Sequence, residues 1–218
     1  MKEIVVFDLD GTLLSGDSTK AWLTDKLKSN IFRFIAALIV TPIALPLMKF
    51  KKYKSKGASL YLWIATYSLN EEELKYSFKN FSNNIKNSPS SSLYWFEQGI
   101  AEVKDHLNNG RIVFIATAAP EKLASILLES TNLDVRIIGT PLQNKLGGWV
   151  SGTHCRAEEK VKRLNKLDIK QPWFATYSDD IDDDLPILIG AKLSYLINGD
   201  NNKIKNIKIK NLKILNWI

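Results

Sequence analysis

The 218-residue chain holds one cysteine, Cys155, which excludes an intramolecular disulfide and suits a reducing cytoplasm. With no histidine paired to it, Cys155 reads as a small buried side chain and not as a nucleophile. Its two histidines, His106 and His154, are each isolated from any second ligand, so a histidine-held metal is not expected. No internal repeat is evident, which removes solenoid architectures. The first apolar run is broken by Asp8 and Asp10 and lacks the uninterrupted centre of an export signal, so none is expected. Nucleic-acid motifs are missing as well, despite a net charge of +7. Most of the basic residues are lysines in a chain also rich in isoleucine and asparagine, as an AT-rich genome encodes, so charge matters only where it clusters.

What is present is the alternation of an α/β protein. Residues 4–9, 111–116, 135–138, 173–177 and 193–197 are short apolar runs rich in β-branched residues, read as buried strands. Helical patterns lie between them: Pro120 precedes a helix over 122–130, and 157–167 places Val161 and Leu164 on one face. Alternating strands and helices imply a doubly wound parallel sheet. Residues 18–92 break the rhythm, being helical throughout, and are read as an inserted helical cap between core segments 1–17 and 93–218. Within that cap, Asn70 and Glu73 form a capping box opening a helix to about residue 85. Residues 87–92 are read as the returning linker, 93–109 as a helix stopped by Gly110, and 142–153 as a β-hairpin around Gly147 and Gly148. In the tail, Ile204 and Ile207 fit a short helix, and Leu212, Ile214 and Trp217 a last edge strand.

The chemistry concentrates at strand ends. Asp8 and Asp10 stand two apart at the carboxyl end of the first strand, the edge where open α/β sheets bind ligands. One carboxylate can attack phosphorus while the other handles the proton, and a divalent cation is expected to relieve their mutual repulsion. Thr117, Ala118 and Ala119 close the second strand with a hydroxyl and backbone N–H groups at a helix start, a phosphate site. Lys160 opens a later helix and offers a positive charge. Asp179, Asp180, Asp182, Asp183 and Asp184 follow another strand with the hard oxygens magnesium prefers. That acidic run lacks the glycine and the terminal glutamate of an EF-hand. Asp17 and Ser18 are read as the N-cap of the first cap helix.

In this order, led by Asp8-Leu9-Asp10-Gly11-Thr12, these elements resemble the haloacid dehalogenase-like phosphatase superfamily, in its branch with a helical cap after the first strand, which includes phosphoserine phosphatases. The resemblance covers the whole core. It implies a Mg2+-dependent phosphatase in which Asp8 becomes an aspartyl-phosphate, and Asp10 protonates the leaving oxygen and then activates water. It also implies that Thr117, Ala118 and Lys160 hold the phosphoryl group, and that Asp8, Asp10 through its carbonyl, and Asp179 hold the metal. The spacing of the last motif admits either Asp183 or Asp184 as the second acid, with Asp183 preferred. A narrower resemblance, to the membrane-associated phosphatidylglycerophosphatase C group, rests on Leu60-Tyr61-Leu62-Trp63, Gly147-Gly148-Trp149-Val150, Cys155 before Glu159-Lys160-Val161, and Tyr177-Ser178-Asp179.

The cap then carries the substrate question. Residues 35–48 are uncharged, but at about 14 residues they fall short of the ~20 needed to span a bilayer, and Pro42 and Pro46 interrupt them. A simple spanning helix is not expected. A tilted or re-entrant hairpin over 31–48 and an inward-packed cap helix stay open as equals. Lys49, Lys51, Lys52, Lys54 and Lys56 follow and would draw anionic headgroups. Trp22, Phe32, Phe34, Tyr53, Tyr61, Trp63 and Tyr67 fit an interfacial belt, or for most of them ordinary core filler. The leading expectation is a phosphatase on the cytoplasmic side of a membrane, acting on phosphatidylglycerophosphate or another anionic lipid phosphate, with no nucleic-acid or protein partner. The alternatives are a soluble phosphatase of a small metabolite such as phosphoserine and an inactive membrane-bound interaction module.

Overall fold

The computed structural model describes residues 2–50, 53–87, 93–199, 209 and 211–218. Its centre is a six-stranded, wholly parallel sheet in the order β3-β2-β1-β6-β7-β8. The strands are β1 (Ile4–Phe7), β2 (Ile112–Pro120), β3 (Arg136–Thr140), β6 (Trp173–Ser178), β7 (Ala191–Ile197) and β8 (Leu212–Leu215). Each predicted strand is present, within a few residues at its ends. Alternate side chains leave opposite faces of the sheet: Val5, Phe7, Val113 and Ile115 enter one core, while Val6, Phe114 and Ala116 enter the other. Both faces are covered, which is why the strands read as nearly continuous apolar runs.

Helices α5 (Glu97–Asn108), α6 (Glu121–Glu129), α7 (Glu158–Lys166) and the short α8 (Leu185–Leu188) complete the core. Helix α5 starts later than the sequence suggests. Trp95 instead bridges Leu14, and the Phe96 N–H donates to the Leu13 carbonyl, so the chain returning from the cap is stitched beside the turn after β1. A two-stranded antiparallel hairpin, β4 (Leu142–Lys145) and β5 (Gly148–Ser151), turns through Leu146 and Gly147, both at positive φ.

Between β1 and α5 lie four cap helices, α1 (Ser18–Lys28), α2 (Ile31–Lys49), α3 (Lys54–Thr66) and α4 (Glu71–Asn87). Asp17 caps α1, its carboxylate accepting from the Lys20 N–H at 2.7 Å. The capping box of α4 is reciprocal: Glu73 N–H donates to the Asn70 side chain and Asn70 N–H to Glu73. Trp22 and Phe78 pack edge-on inside the cap, each essentially unexposed. Most of the expected linker, Lys51 and Lys52, and the expected helix at Ile204 and Ile207 lie outside the described residues.

Helix α2 departs from expectation in its continuity, and of the two arrangements left open for it the inward-packed one is not observed. The prolines do not interrupt it: Pro42 and Pro46 sit inside one continuous 19-residue helix, each forfeiting a single backbone hydrogen bond. Nor does it pack inward, since only Ala37 and Ala44 are buried. Phe32, Ile39 and Ile43 are 79%, 71% and 63% exposed. Each such side chain left in water forgoes roughly 1.5–3 kcal/mol of burial. The candidate aromatic belt divides accordingly. Trp22 is core, whereas Phe32, Phe34, Tyr53 and Tyr67 are exposed.

Candidate active site

The carboxyl end of β1 opens into a tight turn at Gly11, whose φ of +81° favours glycine. The carboxylate of Asp179 occupies the space that a Cβ at Gly11 would fill, so the missing side chain seats Asp179 directly against the turn. Thr12 fastens the same residue twice. Its hydroxyl donates to Asp179 Oδ1 at 3.1 Å and accepts from the Asp179 N–H at 3.0 Å. The end of β6 is thereby pinned to the end of β1, its neighbour in the sheet.

Asp8 is buried and meets Lys160 Nζ at 2.6 Å. The same ammonium reaches both oxygens of Asp184, at 2.7 and 2.8 Å, and Asp184 also accepts from the Ser178 hydroxyl at 2.7 Å. One cation from the start of α7 thus stands between carboxylates from β1 and from the loop after β6. Burial alone would lower the Lys160 pKa, but Asp184 and Asp8 together hold it well above the ordinary lysine value. For Asp8, burial wins: with Asp184 and Asp179 nearby, its carboxyl is raised well above the usual range against the pull of Lys160.

Of the two acids considered for the last motif, the preferred one is not the one at the centre. Asp183 turns outward to Arg156 at 3.1 Å, while Asp184, only 3% exposed, lies on Lys160. The reason is local. Asp180 accepts from the N–H groups of Asp182 and Asp183, forming a turn that presents Asp184 inward one residue later.

Asp10 faces the cap. Its carboxylate accepts from the Ser18 N–H at 3.0 Å, at the first residue of α1. Burial raises its pKa to about 7, with the Ser18 bond opposing. Thr117 is buried in β2, at the register irregularity between Ala116 and Pro120, where its hydroxyl accepts from the Ala119 N–H at 3.1 Å, and the Ala118 carbonyl accepts from Thr140. Cys155 is buried, its thiol pushed up to about 12 by burial, which leaves it protonated.

The residues fit a magnesium ion. Burial raises Asp179 to about 6, and the Asp179 charge in turn raises the proton affinity of Asp8 and Asp10, as in an acidic site short of counter-charge. Among the described residues no group of three acidic, histidine or cysteine side chains is arranged to enclose a metal. Magnesium does not need one, because it keeps several waters and takes one or two carboxylates.

Sequence reasoning gave no role to Thr12 or Ser178, which orient Asp179 and Asp184. Each lies within two residues of an acidic residue of the motifs, and a hydroxyl near a buried carboxylate is the signal that finds them.

The model of the haloacid dehalogenase-like hydrolase family matches residues 5–190. Among curated proteins, the chain is 26% identical over 204 residues to Protein CicA of Caulobacter vibrioides, covering 89% of this chain and 86% of that one. Among solved structures, it is similar to a Bordetella pertussis Tohama I protein of unknown function, with a TM-score of 0.76, 19% identity and 99% of both chains covered. A phospho-aspartyl intermediate analogue of phosphoserine phosphatase matches with a TM-score of 0.59 and 15% identity, covering 98% of this chain and 92% of that one.

Proposed function

The chain belongs to the haloacid dehalogenase-like hydrolase family, and from that membership we propose that it is a magnesium-dependent phosphomonoesterase working through a phosphorylated Asp8. The observation that carries this reading is the juxtaposition of Asp8 with Lys160, which also holds Asp184, and with the charge of the Thr12-held Asp179.

Asp8 Oδ attacks the phosphorus of a phosphate monoester, and the bond from phosphorus to the ester oxygen breaks. The carboxyl of Asp10, at about 7, is poised between its forms near neutral pH and delivers its proton to that leaving oxygen. Asp10 then takes a proton from water, the water oxygen attacks the acyl-phosphate phosphorus, and the Asp8 carboxylate is released with inorganic phosphate. In this reading Lys160 and the Thr117 hydroxyl hold the equatorial oxygens. Magnesium would be held by the carboxylates of Asp8 and Asp179 and the carbonyl of Asp10, and would supply the positive charge that an ionised nucleophile and a phosphoryl dianion both require.

For the substrate we favour a lipid phosphate monoester at the cytoplasmic face of a membrane, with phosphatidylglycerophosphate as the specific candidate. Its support is the exposed apolar length of α2 within the cap. The structural likeness to phosphoserine phosphatase points to the second reading, a soluble phosphomonoester.

A panel of phosphomonoesters, with and without vesicles, separates the two. Magnesium-dependent phosphate release from vesicle-borne phosphatidylglycerophosphate, abolished in Asp8→Asn, is the expected result. Rapid turnover of phosphoserine with none of the lipid overturns the substrate, and unchanged turnover in Asp8→Asn overturns the mechanism.

A further inference from the structure

Helix α2 carries two opposed seams. Ala37, Thr41, Ala44 and Met48 recur at helical spacing and face α3: the Tyr61 hydroxyl donates to Thr41 at 3.0 Å, and a Cβ on Gly57 would strike the Ala44 carbonyl oxygen at 2.7 Å and Met48 at 2.6 Å. On the opposite side Phe32, Ile39 and Ile43, with Phe50 just past the helix end, form one straight line, all between 63% and 79% exposed. Helix α3 is in turn fixed to the hairpin of the core. Trp63 Nε1 donates to the Lys145 carbonyl at 2.9 Å and the Trp149 N–H to Thr66 at 2.8 Å.

That chain of contacts decides between ways of meeting a membrane. A helix of 19 residues is about 28 Å long, nearly the thickness of a hydrocarbon core. Standing upright, however, α2 would carry α3 and the hairpin into lipid, with Lys54 and Lys56 at one end of α3 and the polar strand β4 beside the other. Lying flat, it immerses only its exposed line. Its basic residues suit that posture, because they gather at both ends: Lys26, Lys28 and Arg33 at one, Lys49, Lys54 and Lys56 at the other. Acidic side chains are absent from the whole of α2 and α3.

We propose that α2 is an in-plane docking helix for an anionic bilayer, its Phe32-Ile39-Ile43-Phe50 line sunk among the acyl chains of one leaflet and its two basic clusters on the headgroups, without crossing the membrane. This deepens the lipid-phosphate reading and rests on it for its purpose, but it is read out by binding and not by turnover. A second copy of the chain is the competing occupant. Charge argues against it, since a two-fold pairing along α2 brings like basic clusters towards each other.

The test is flotation of the full chain with vesicles of phosphatidylglycerol and phosphatidylcholine. Binding is expected to need phosphatidylglycerol and to weaken about fivefold for each of Lys49→Gln, Lys54→Gln and Lys56→Gln. Ile39→Glu with Ile43→Glu is expected to weaken it at least about 100-fold with an unchanged melting midpoint, while Ile189→Glu, a similarly exposed change on the core, has no effect. Spin labels at Phe32→Cys, Ile39→Cys and Phe50→Cys should report one shallow depth, since buried Cys155 does not compete for label. A depth gradient with Ile39 near the bilayer centre overturns the in-plane posture. Failure to bind anionic vesicles, or a dimer in sedimentation that Ile39→Glu dissolves, overturns the membrane as occupant. Binding without hydrolysis of phosphatidylglycerophosphate leaves the docking surface standing and removes the substrate reading alone.

Discussion

Lys160 Nζ lies 2.6 Å from Asp8 Oδ1, and both groups are buried beneath the sheet edge. Removing a buried partner costs more than the pair contributes, because the remaining charge has no water to solvate it. Lys160→Met strands two carboxylates, Asp8 and Asp184, and is expected to lose about 3–5 kcal/mol at pH 8. Asp8, already raised by burial, then loses the opposing pull of Lys160 and rises further above its unfolded value, so stability is retained at low pH and lost as pH rises. Denaturant midpoints at pH 5 and pH 8 check it, and a variant equally unstable at both overturns the charge explanation.

Asp183 and Asp184 are neighbours with different fates. Asp184→Asn keeps the shape but removes the charge that holds Lys160, and is expected to cut turnover by about 100-fold or more and to lower stability. Asp183→Asn breaks only a partly exposed pair with Arg156, worth at most about 1 kcal/mol. Its turnover should stay within about threefold of the parent. Steady-state kinetics on any soluble phosphomonoester decides, and the reverse ranking would return the role to Asp183.

Much of this was legible in the chain. Apolar strands punctuated by turn residues gave the sheet, and acidic residues at strand ends pointed to the carboxyl edge, because both signals are local. The position of Asp184 was not legible, since it depends on Asp180 capping the turn of its own backbone, which shifts the inward-facing register by one residue. Nor was α2. The prolines suggested a break, but the helix runs on through them with α3 packed along it, the Tyr61 hydroxyl donating to Thr41 and Gly57 lying against Ala44, and hydropathy cannot say which side of an apolar helix has a neighbour.

Magnesium is expected to stabilise the fold, and more so at higher pH. Without it, burial lifts Asp10 to about 7 and Asp179 to about 6, above their unfolded values. Stability from these groups is therefore full in acid and declines as pH rises through 6 and 7. Binding a cation to the ionised carboxylates reverses the trend. At 100 times its Kd, magnesium adds about 2.7 kcal/mol, a rise in Tm of roughly 5–10 °C. Thermal melts with magnesium and with a chelator at pH 5.5 and 8 measure it, and an equal shift at both would contradict the assignment.

His106 gives an opposite pH signature. The imidazole is buried, Arg111 donates to its Nδ1 at 3.1 Å, and its Nε2 meets the Tyr177 hydroxyl at 2.9 Å, which donates onward to Glu102. A donor on Nδ1 requires the neutral ring, and burial, with Arg111 beside it, lowers the pKa below 6.5. The unfolded chain then takes up the proton first as pH falls, so stability is lost below about 6.5, by at most about 1.4 kcal/mol per pH unit. His106→Phe should flatten that acid limb. Comparing urea midpoints between pH 7.5 and 5 tests it, and an unchanged slope removes His106 as the cause.

Gly148 sits where the core hairpin meets the cap. A Cβ there would stand 2.6 Å from Trp63 Cδ1 and 2.9 Å from the Trp63 carbonyl oxygen, so backbone, and not only a movable ring, blocks it. Around this point the two parts exchange hydrogen bonds: Ser68 N–H to the Gly147 carbonyl at 2.7 Å, Trp149 Nε1 to the Leu69 carbonyl at 2.9 Å, and Trp149 N–H to Thr66. The cap is therefore latched to the hairpin as well as joined at its chain ends, and α3, with α2 against it, keeps a set orientation over the carboxyl edge of the sheet. Gly148→Ala must spread this contact, at about 1–3 kcal/mol for overpacking. If the latch sets the reach of the cap over Asp10, Gly148→Ala should raise KM for a bulky phosphomonoester more than it lowers kcat. Equal losses in both, following stability alone, would reduce Gly148 to a packing residue.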